Sequence, residues 1–492
     1  MTTPQSSYRQ IFKATSIFGG VKVFEIIIKI IRSKIIAVLL GPEGMGVQGL
    51  FNSAIALMSG LTNFGLGTSA VKNVAAANGS GNSQRVAVVV KVLRRMVWIT
   101  GLLGALVTLI LSSYLSEISF GNKDYTWGFI WLSITLLLRQ ISTGQMVILR
   151  GMRKISYLAQ SSLSGSILGL VFSLPFYYFY GIDGIVPAII ITSIITLLRT
   201  WYYAKKIPLD KVAIDSQTTI TVGKDMLIMG FMLSLSGLFV VAKGFGIRAF
   251  ISSLGDIEQV GLYAAGFAIV NTYVGMVFTA MSTDYFPRLS EVAHDNSKAK
   301  DLINQQAEIA ILILAPIIAI FIVFIPWIIV ILYSSQFLGI TQMIQWASLG
   351  MFFKAISWAM AYIILAKGAP RLFMINELSA GTITLMMHLT GYYFWGLTGI
   401  GLGFLAGYIY YSFQVFFLIH YKFEFTLTRM TVRLLLIFIF LGSISLVISQ
   451  LFDGAWMYVL GTGLIIFTSF ISLKQLNTRI SVSDLIKKLR KK

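Results

Sequence analysis

The chain has 492 residues, of which 56% are hydrophobic and 12% charged, with a formal net charge of +20 and no cysteine. Soluble domains carry roughly 25% charged residues, so a chain with half that share cannot cover itself for water, and the bilayer is the solvent that fits. The absence of cysteine excludes disulfides, thiolate metal sites and a cysteine nucleophile. His294, His388 and His420 are too scattered for a metal motif, so no metal and no cofactor is expected.

The first sixteen residues are polar, include Arg9 and Lys13, lack a small-residue cleavage site and read as an uncleaved cytoplasmic start. A crossing needs about 20 mostly apolar residues. The runs that qualify, in chain order, are 16–40, 47–71, 95–116, 127–149, 156–179, 181–203, 225–251, 260–283, 305–333, 340–366, 372–395, 397–420, 431–451 and 455–473. These predict an all-α polytopic membrane protein of about fourteen transmembrane helices. With the N-terminus inside, alternate connections collect cations such as Arg150, Arg153 and Lys154, then Lys205, Lys206 and Lys211, then Lys367 and Arg371. The opposite connections hold Glu43, Glu117, Asp183, Asp256 and Asp453. This positive-inside pattern predicts cytoplasmic termini and accounts for most of the net charge. Nucleic-acid binding has no supporting motif. The tail SVSDLIKKLRKK reads equally as a basic amphipathic helix on anionic lipid or as a solubilising end. The connections are too short to fold as catalytic domains, and no Walker A, G-x-S-x-G or H-E-x-x-H pattern occurs. The chain reads as a transporter rather than an enzyme.

An internal repeat is visible. YYFYGIDGI at 177–185 matches YYFWGLTGI at 392–400, an offset of 215. Lys29, Lys34, Leu40 and Gly41 match Lys243, Arg248, Leu254 and Gly255 at an offset of 214, and Arg150-Gly151 parallels Lys367-Gly368. Six helices separate the copies, so both run the same way through the membrane, as parallel transporter repeats do. The expected organisation is an N-terminal lobe at 1–207, a cytoplasmic linker at 208–224, a C-terminal lobe at 225–422, and two appended helices with a basic tail at 423–492.

The sharpest feature is the charge inside the first span. Lys22, Glu25, Lys29 and Arg32 are spaced 3, 4 and 3, which places them within roughly 80° on one helix face. Four such residues cost on the order of 10 kcal/mol in hydrocarbon, against roughly 7 kcal/mol returned by the apolar residues of the span. That face must therefore meet water, a partner or a substrate. One reading pairs Glu25 with Lys22 and Lys29; the other is a cavity wall that attracts an anion. Further cations in spans are Arg139 beside Gln140, Lys243, Arg248 and Lys354, accompanied by Asn271, Glu377 and His388. Glu377 reads as a partner of Arg371 or Lys354, and His388 as a histidine bonded to its neighbours or a proton-linked group. Basic residues outnumber acidic ones, which suits a phosphate or other anion, since Arg offers paired donors and Lys a point charge. Aromatics at 176–180, 201–203, 392–395 and 408–416 read first as interface belts and second as sugar-stacking surfaces.

The first-span stretch KIIRSKIIAVLLGPEGMGVQGLFN at 29–52 and the segment FFKAISWAMAYIILAKGAPRLFMINE at 352–377 carry a family resemblance. The chain resembles the Wzx-type polysaccharide flippases, including their enterobacterial common antigen branch, within the superfamily that also holds the multidrug and toxic compound exporters. The resemblance implies a fold of two rocking lobes. It implies a bacterial inner-membrane location and, as cargo, an oligosaccharide on undecaprenyl pyrophosphate destined for O-antigen, capsule or a related glycan. Glycan-assembly proteins such as a polymerase or chain-length regulator are the partners it implies. The competing readings are a small-molecule exporter, whose site should be acidic, and a membrane-embedded glycan polymerase, which needs a large outer loop or carboxylate cluster.

Overall fold

The structure is a computed structural model that describes residues 4–210 and 212–480, with side chains from Phe24 to Arg479 apart from Lys211 and a few positions between 233 and 283. The Lys22 side chain and the tail 481–492 lie outside the described residues. Among the described residues every regular element is helical. In chain order these are α1 (Pro4–Thr62), α2 (Leu66–Gly79), α3 (Ser83–Ile110), α4 (Ser112–Phe120), α5 (Thr126–Gly151), α6 (Ile155–Tyr180) and α7 (Ile185–Lys205). They continue as α8 (Ser216–Leu254), α9 (Ile257–Ala268), a π turn (Ile269–Val274), α10 (Met276–Val292), α11 (Asn296–Leu332), α12 (Thr341–Ala366), α13 (Pro370–Phe423), α14 (Arg429–Leu451) and α15 (Gly454–Ile480).

Each predicted span falls on helix, with 47–71 interrupted between α1 and α2, 95–116 between α3 and α4, and 260–283 between α9 and α10. By length and composition alone, 8 helical stretches among the described residues are able to cross a membrane, or 9 if α3 and α4, bent by 66°, make one crossing. Two of these, Ile155–Lys205 and Pro370–Phe423, run for 51 and 54 residues. At about 20 residues per crossing each is long enough for two. Within α1 the break is at Gly41, whose φ of 66° is open to glycine at no steric cost. The following Pro42, lacking an N–H, suits a helix start.

The repeat recurs in the backbone. Adding 215 to the bounds of α5, Thr126 and Gly151, gives Thr341 and Ala366, the bounds of α12. Gly181 (φ 56°, ψ −129°) ends α6, and Gly396, 215 residues later, breaks α13 with φ 57° and ψ −140°. The left-handed residue opposite Gly368 (φ 70°) at that offset is Arg153 (φ 54°), so the earlier pairing with Gly151 shifts by two positions. Just before each of the paired glycines, Tyr178, Phe179 and Tyr180, and again Tyr393, Phe394 and Trp395, are all more than 60% exposed, as interface aromatics are.

Contacts gather the chain into two compact units, one through Gly261 and one from Leu262. The first therefore includes α8, which the repeat counts as the start of the second half, and which packs on α1, α2 and α3. Met226 of α8 joins a core of Leu66, Val74, Leu93, Val97 and Ile148. Before it, the linker is strapped to α3: Arg95 donates to Thr219 Oγ1 at 2.6 Å and to the Ile214 carbonyl at 3.3 Å. The helix begins nine residues before the predicted span at 225 because Asp215 caps it, accepting from Thr218 N at 3.1 Å. Bonds from Thr218 hold the Asp215 carboxyl below the usual carboxylate range.

In the second unit α11 is interrupted by Pro316 and Pro326. Each proline lacks an N–H, so the carbonyl four residues earlier loses its helix bond. Those carbonyls belong to Leu312 and Ile322. The Ser472 hydroxyl of α15 donates to Leu312 at 2.5 Å, and the Gln345 amide of α12 donates to Ile322 at 2.9 Å. Gln345 also donates to Ser449 of α14 at 3.1 Å. At the other end of α14, Glu308 pairs with Arg479 at 2.9 Å and accepts from Thr431 at 3.0 Å. The same turn of α11 supplies Asn304, which accepts from Thr428 N at 2.9 Å. The appended helices are thus pinned to α11 by polar bonds as well as by Ala319 and Val323 packing on Ile465.

Two tests follow from the prolines. S472A should destabilise the protein by about 1–2 kcal/mol, the cost of an orphaned buried carbonyl, read as a lower thermal midpoint in detergent. P316A restores an N–H to the helix, so S472A should cost clearly less in that background than in the native chain.

Candidate functional site

The charged face of α1 packs on α6. Glu25 accepts a hydrogen bond from Ser162 Oγ. One turn further on from Lys29, Arg32 lies against Gly169: a Cβ built there would sit 3.4 Å from the Arg32 Nη2 and 3.1 Å from Thr192 Cγ2. Gly169 belongs to a buried stripe of small residues, Ser161, Gly165, Gly169 and Ser173, spaced by four along α6. This spacing keeps them on one helix face, which leaves room for a guanidinium. Among the described residues, the buried Arg32 Nε has no hydrogen-bond partner. Tyr177 is within electrostatic reach of Arg32, and its hydroxyl accepts from Gln48 at 2.9 Å. Lys29 is exposed, and among the described residues it makes no hydrogen bond or ion pair. The proposed Glu25–Lys29 bridge is therefore not formed here; Glu25 turns to α6 instead.

The Arg139-Gln140 pair divides. Gln140 is buried and donates to Thr100 at 2.8 Å, joining α5 to α3. Arg139 is half-buried, and among the described residues its guanidinium has no hydrogen bond or ion pair. On α8, Lys243 is half-buried, and Arg248 donates back to the Gly244 carbonyl of its own helix at 2.9 Å.

The second unit holds a separate constellation around Lys354 of α12. Its ammonium is 3.4 Å from Asn271 Oδ1 and lies 5.4–5.9 Å from the ring centres of Phe278, Phe404 and Tyr408. Ring faces attract a cation through their quadrupole, so Lys354 is held at membrane depth by neutral groups. Asn271 is presented by the π turn Ile269–Val274. Such one-turn widenings recur at functional sites because they re-aim a side chain out of helical register. Glu377 accepts from the Tyr411 hydroxyl and is not paired with Lys354. Asn376, its neighbour, accepts from Gln414 at 2.8 Å. His388 is 5% exposed, with Nδ1 against the Thr384 carbonyl one turn back and its ring between Phe267 and Phe404. That geometry is the one expected of a histidine bonded to its neighbours.

One residue escaped the reading from sequence. Arg199 of α7 donates to Ser164 of α6 at 2.9 Å and to the Tyr203 hydroxyl at 3.2 Å, and sits 5.3–5.4 Å from the rings of Tyr202 and Tyr203. The signal was available: an arginine inside the apolar run 181–203, one turn before three aromatics that were read as an interface belt.

Residues 35–342 match the family model described as polysaccharide biosynthesis protein. The lipid III flippase of Escherichia coli (strain K12) is 23% identical over 366 residues, covering 72% of this chain and 84% of the relative, and the lipid III flippase of Shigella flexneri matches equally. Among solved structures, the lipid II flippase MurJ in an inward closed conformation superposes with a TM-score of 0.70 at 14% identity, covering 95% of this chain and 99% of that one. An inward-facing multidrug resistance MATE family transporter of the MOP superfamily superposes with a TM-score of 0.67 at 16% identity, covering 81% of this chain and 94% of that one. The chain shares the fold of these transporters.

The seat of Arg32 is open to a direct test. G169V should cost about 1–3 kcal/mol by overpacking, seen as a lower thermal midpoint. Adding R32A should recover part of that loss; no recovery would place the clash on Thr192 alone.

Proposed function

The chain belongs to the polysaccharide biosynthesis protein family, and on that footing we propose that it flips an oligosaccharide linked to undecaprenyl pyrophosphate from the inner to the outer leaflet of a bacterial inner membrane. The observation that carries this reading is the state of the half-buried cations. Lys354 is held by Asn271 and three rings, and the Arg139 guanidinium has no hydrogen bond or ion pair among the described residues. A cation kept at membrane depth without a counter-charge attracts an anion, and the diphosphate is the anion this cargo carries. Arg32, set in the glycine-made recess of α6, supplies planar paired donors of the kind that fit phosphate oxygens. The relatives named as lipid II and lipid III flippases handle lipid-linked cargo by their names, which agrees with this chemistry.

We assign the termini to the cytoplasm from the positive-inside pattern, and we take alternating access of the two repeats, six helices each with the linker at 208–224 between them, as the working cycle. A polymerase or chain-length regulator acting on the delivered glycan is the partner this role implies. A small-molecule exporter of the same fold would be expected to use a carboxylate as its cation site, and Glu25 on the first-span face accepts from Ser162. Glu377 is likewise engaged by Tyr411.

Losing a charge-assisted contact worth roughly 1.5–3 kcal/mol lowers transport by about ten- to a hundredfold. K354M should therefore slow outward movement of lipid-linked oligosaccharide in proteoliposomes by at least about tenfold, while K354R retains most of it. The combined K29A/R32A/K243A/K354A variant should be inactive at normal membrane abundance. Unimpaired transport by that variant would sink the anion-binding reading.

A further inference from the structure

A second polar recess lies in the unit from Leu262 onward, on the N-terminal turns of α12, nine or more residues before Lys354. It is a cavity of about 640 Å³ lined in part by Thr341, Gln342, Gln345, Ser449 and Gln450, within the range of ligand sites. No acidic or basic side chain lines it, in contrast to the sites of Arg32, Arg139 and Lys354. Its floor is rigid. Gln345 is 3% exposed, and its Nε2 is committed to the Ile322 carbonyl and to Ser449. The hydroxyls of Thr341 and Ser449 are likewise committed as donors, to Leu338 at 2.7 Å and Leu446 at 2.8 Å. Gln342 accepts from Thr398 at 3.1 Å through Oε1, which leaves its Nε2 available. Among the described residues, the Gln450 amide and Gln345 Oε1 also have no protein partner. The recess therefore offers amide donors and acceptors side by side, with no net charge.

A ligand that suits such a wall must both donate and accept hydrogen bonds and carry no charge, and sugar hydroxyl and acetamido groups do so. We propose that this recess is a subsite for uncharged sugar residues of the glycan, distinct from the sites that attract its diphosphate. The inference rests on the flippase reading for its biological meaning. In the orientation assigned above the recess opens at the outer ends of α12 and α14. Part of the wall comes from the appended pair, since Ser449 and Gln450 lie in the last turn of α14 and Met457 in the first turn of α15. This assigns a function to helices that the repeat does not explain: they build a sugar contact on the delivery side.

The test uses the full chain and the variant Q342A/Q450A, both at exposed wall positions, with Gln345 left to hold α11. Calorimetry with chitotriose and with maltotriose should detect binding to the wild type, weakened at least tenfold in the variant. Equal binding by both proteins, or no binding of either probe to the wild type, overturns the subsite. A proteoliposome arm compares undecaprenyl pyrophosphate bearing one N-acetylglucosamine with the same lipid bearing a neutral trisaccharide. The variant should lose at least threefold more rate on the trisaccharide lipid than on the single-sugar lipid, and an unchanged ratio overturns the proposal. A wild type that binds the free sugars yet moves neither lipid overturns the flippase reading and leaves the subsite standing.

Discussion

A backbone carbonyl that loses its helix partner in hydrocarbon has no water to replace it. That constraint governs α11, where two prolines orphan Leu312 and Ile322 and two side chains from other helices answer them. The answer fixes which helices must neighbour α11 and in what register. α12 must bring Gln345 to one carbonyl and α15 must bring Ser472 to the other. The Glu308–Arg479 pair and the Asn304–Thr428 bond then tie down the opposite end of the appended helices. Each of these polar bonds has a direction and a length to satisfy, and so it specifies position more strongly than the apolar contacts around it.

The charged groups obey the same constraint with a different outcome. Glu25, Glu377 and Glu308 all receive hydroxyl donors from neighbouring helices. The cations are treated differently: Arg248 folds back on its own helix, Lys354 is held by rings and an amide, and Arg32 rests beside a glycine. Each of these carboxylates accepts a hydroxyl donor, while Lys354 and the Arg139 guanidinium are held, among the described residues, without a carboxylate partner. This asymmetry, more than the number of cations, points to a negatively charged cargo.

Much of the fold was legible because the bilayer imposes a length and an apolar composition on every crossing. The predicted runs all fall on helix, and the repeat read from YYFYGIDGI and YYFWGLTGI reappears as the same left-handed corner at Gly181 and Gly396. What remained hidden depends on contacts between distant residues. No local pattern ties Gln345 to a proline 19 positions earlier in the chain, or Ser472 to Pro316. The π turn that presents Asn271 has no sequence signature, and whether Glu25 bonds to Lys29 or to Ser162 depends on where α6 packs. The residue types of the candidate site could be read from sequence; their partners could not. Arg199 shows the reverse, a charge in plain view just before aromatics that read as an interface belt.

The left-handed corner shared by Arg153 and Gly368 bears on the history of the chain. A glycine occupies that conformation without penalty, whereas a side chain there costs on the order of 1 kcal/mol. The two halves thus retain one backbone shape while differing in the residue that makes it easy. Duplicated segments that had drifted apart in geometry would not keep such a corner 215 residues apart, so the turn itself has outlasted the amino acid best suited to form it.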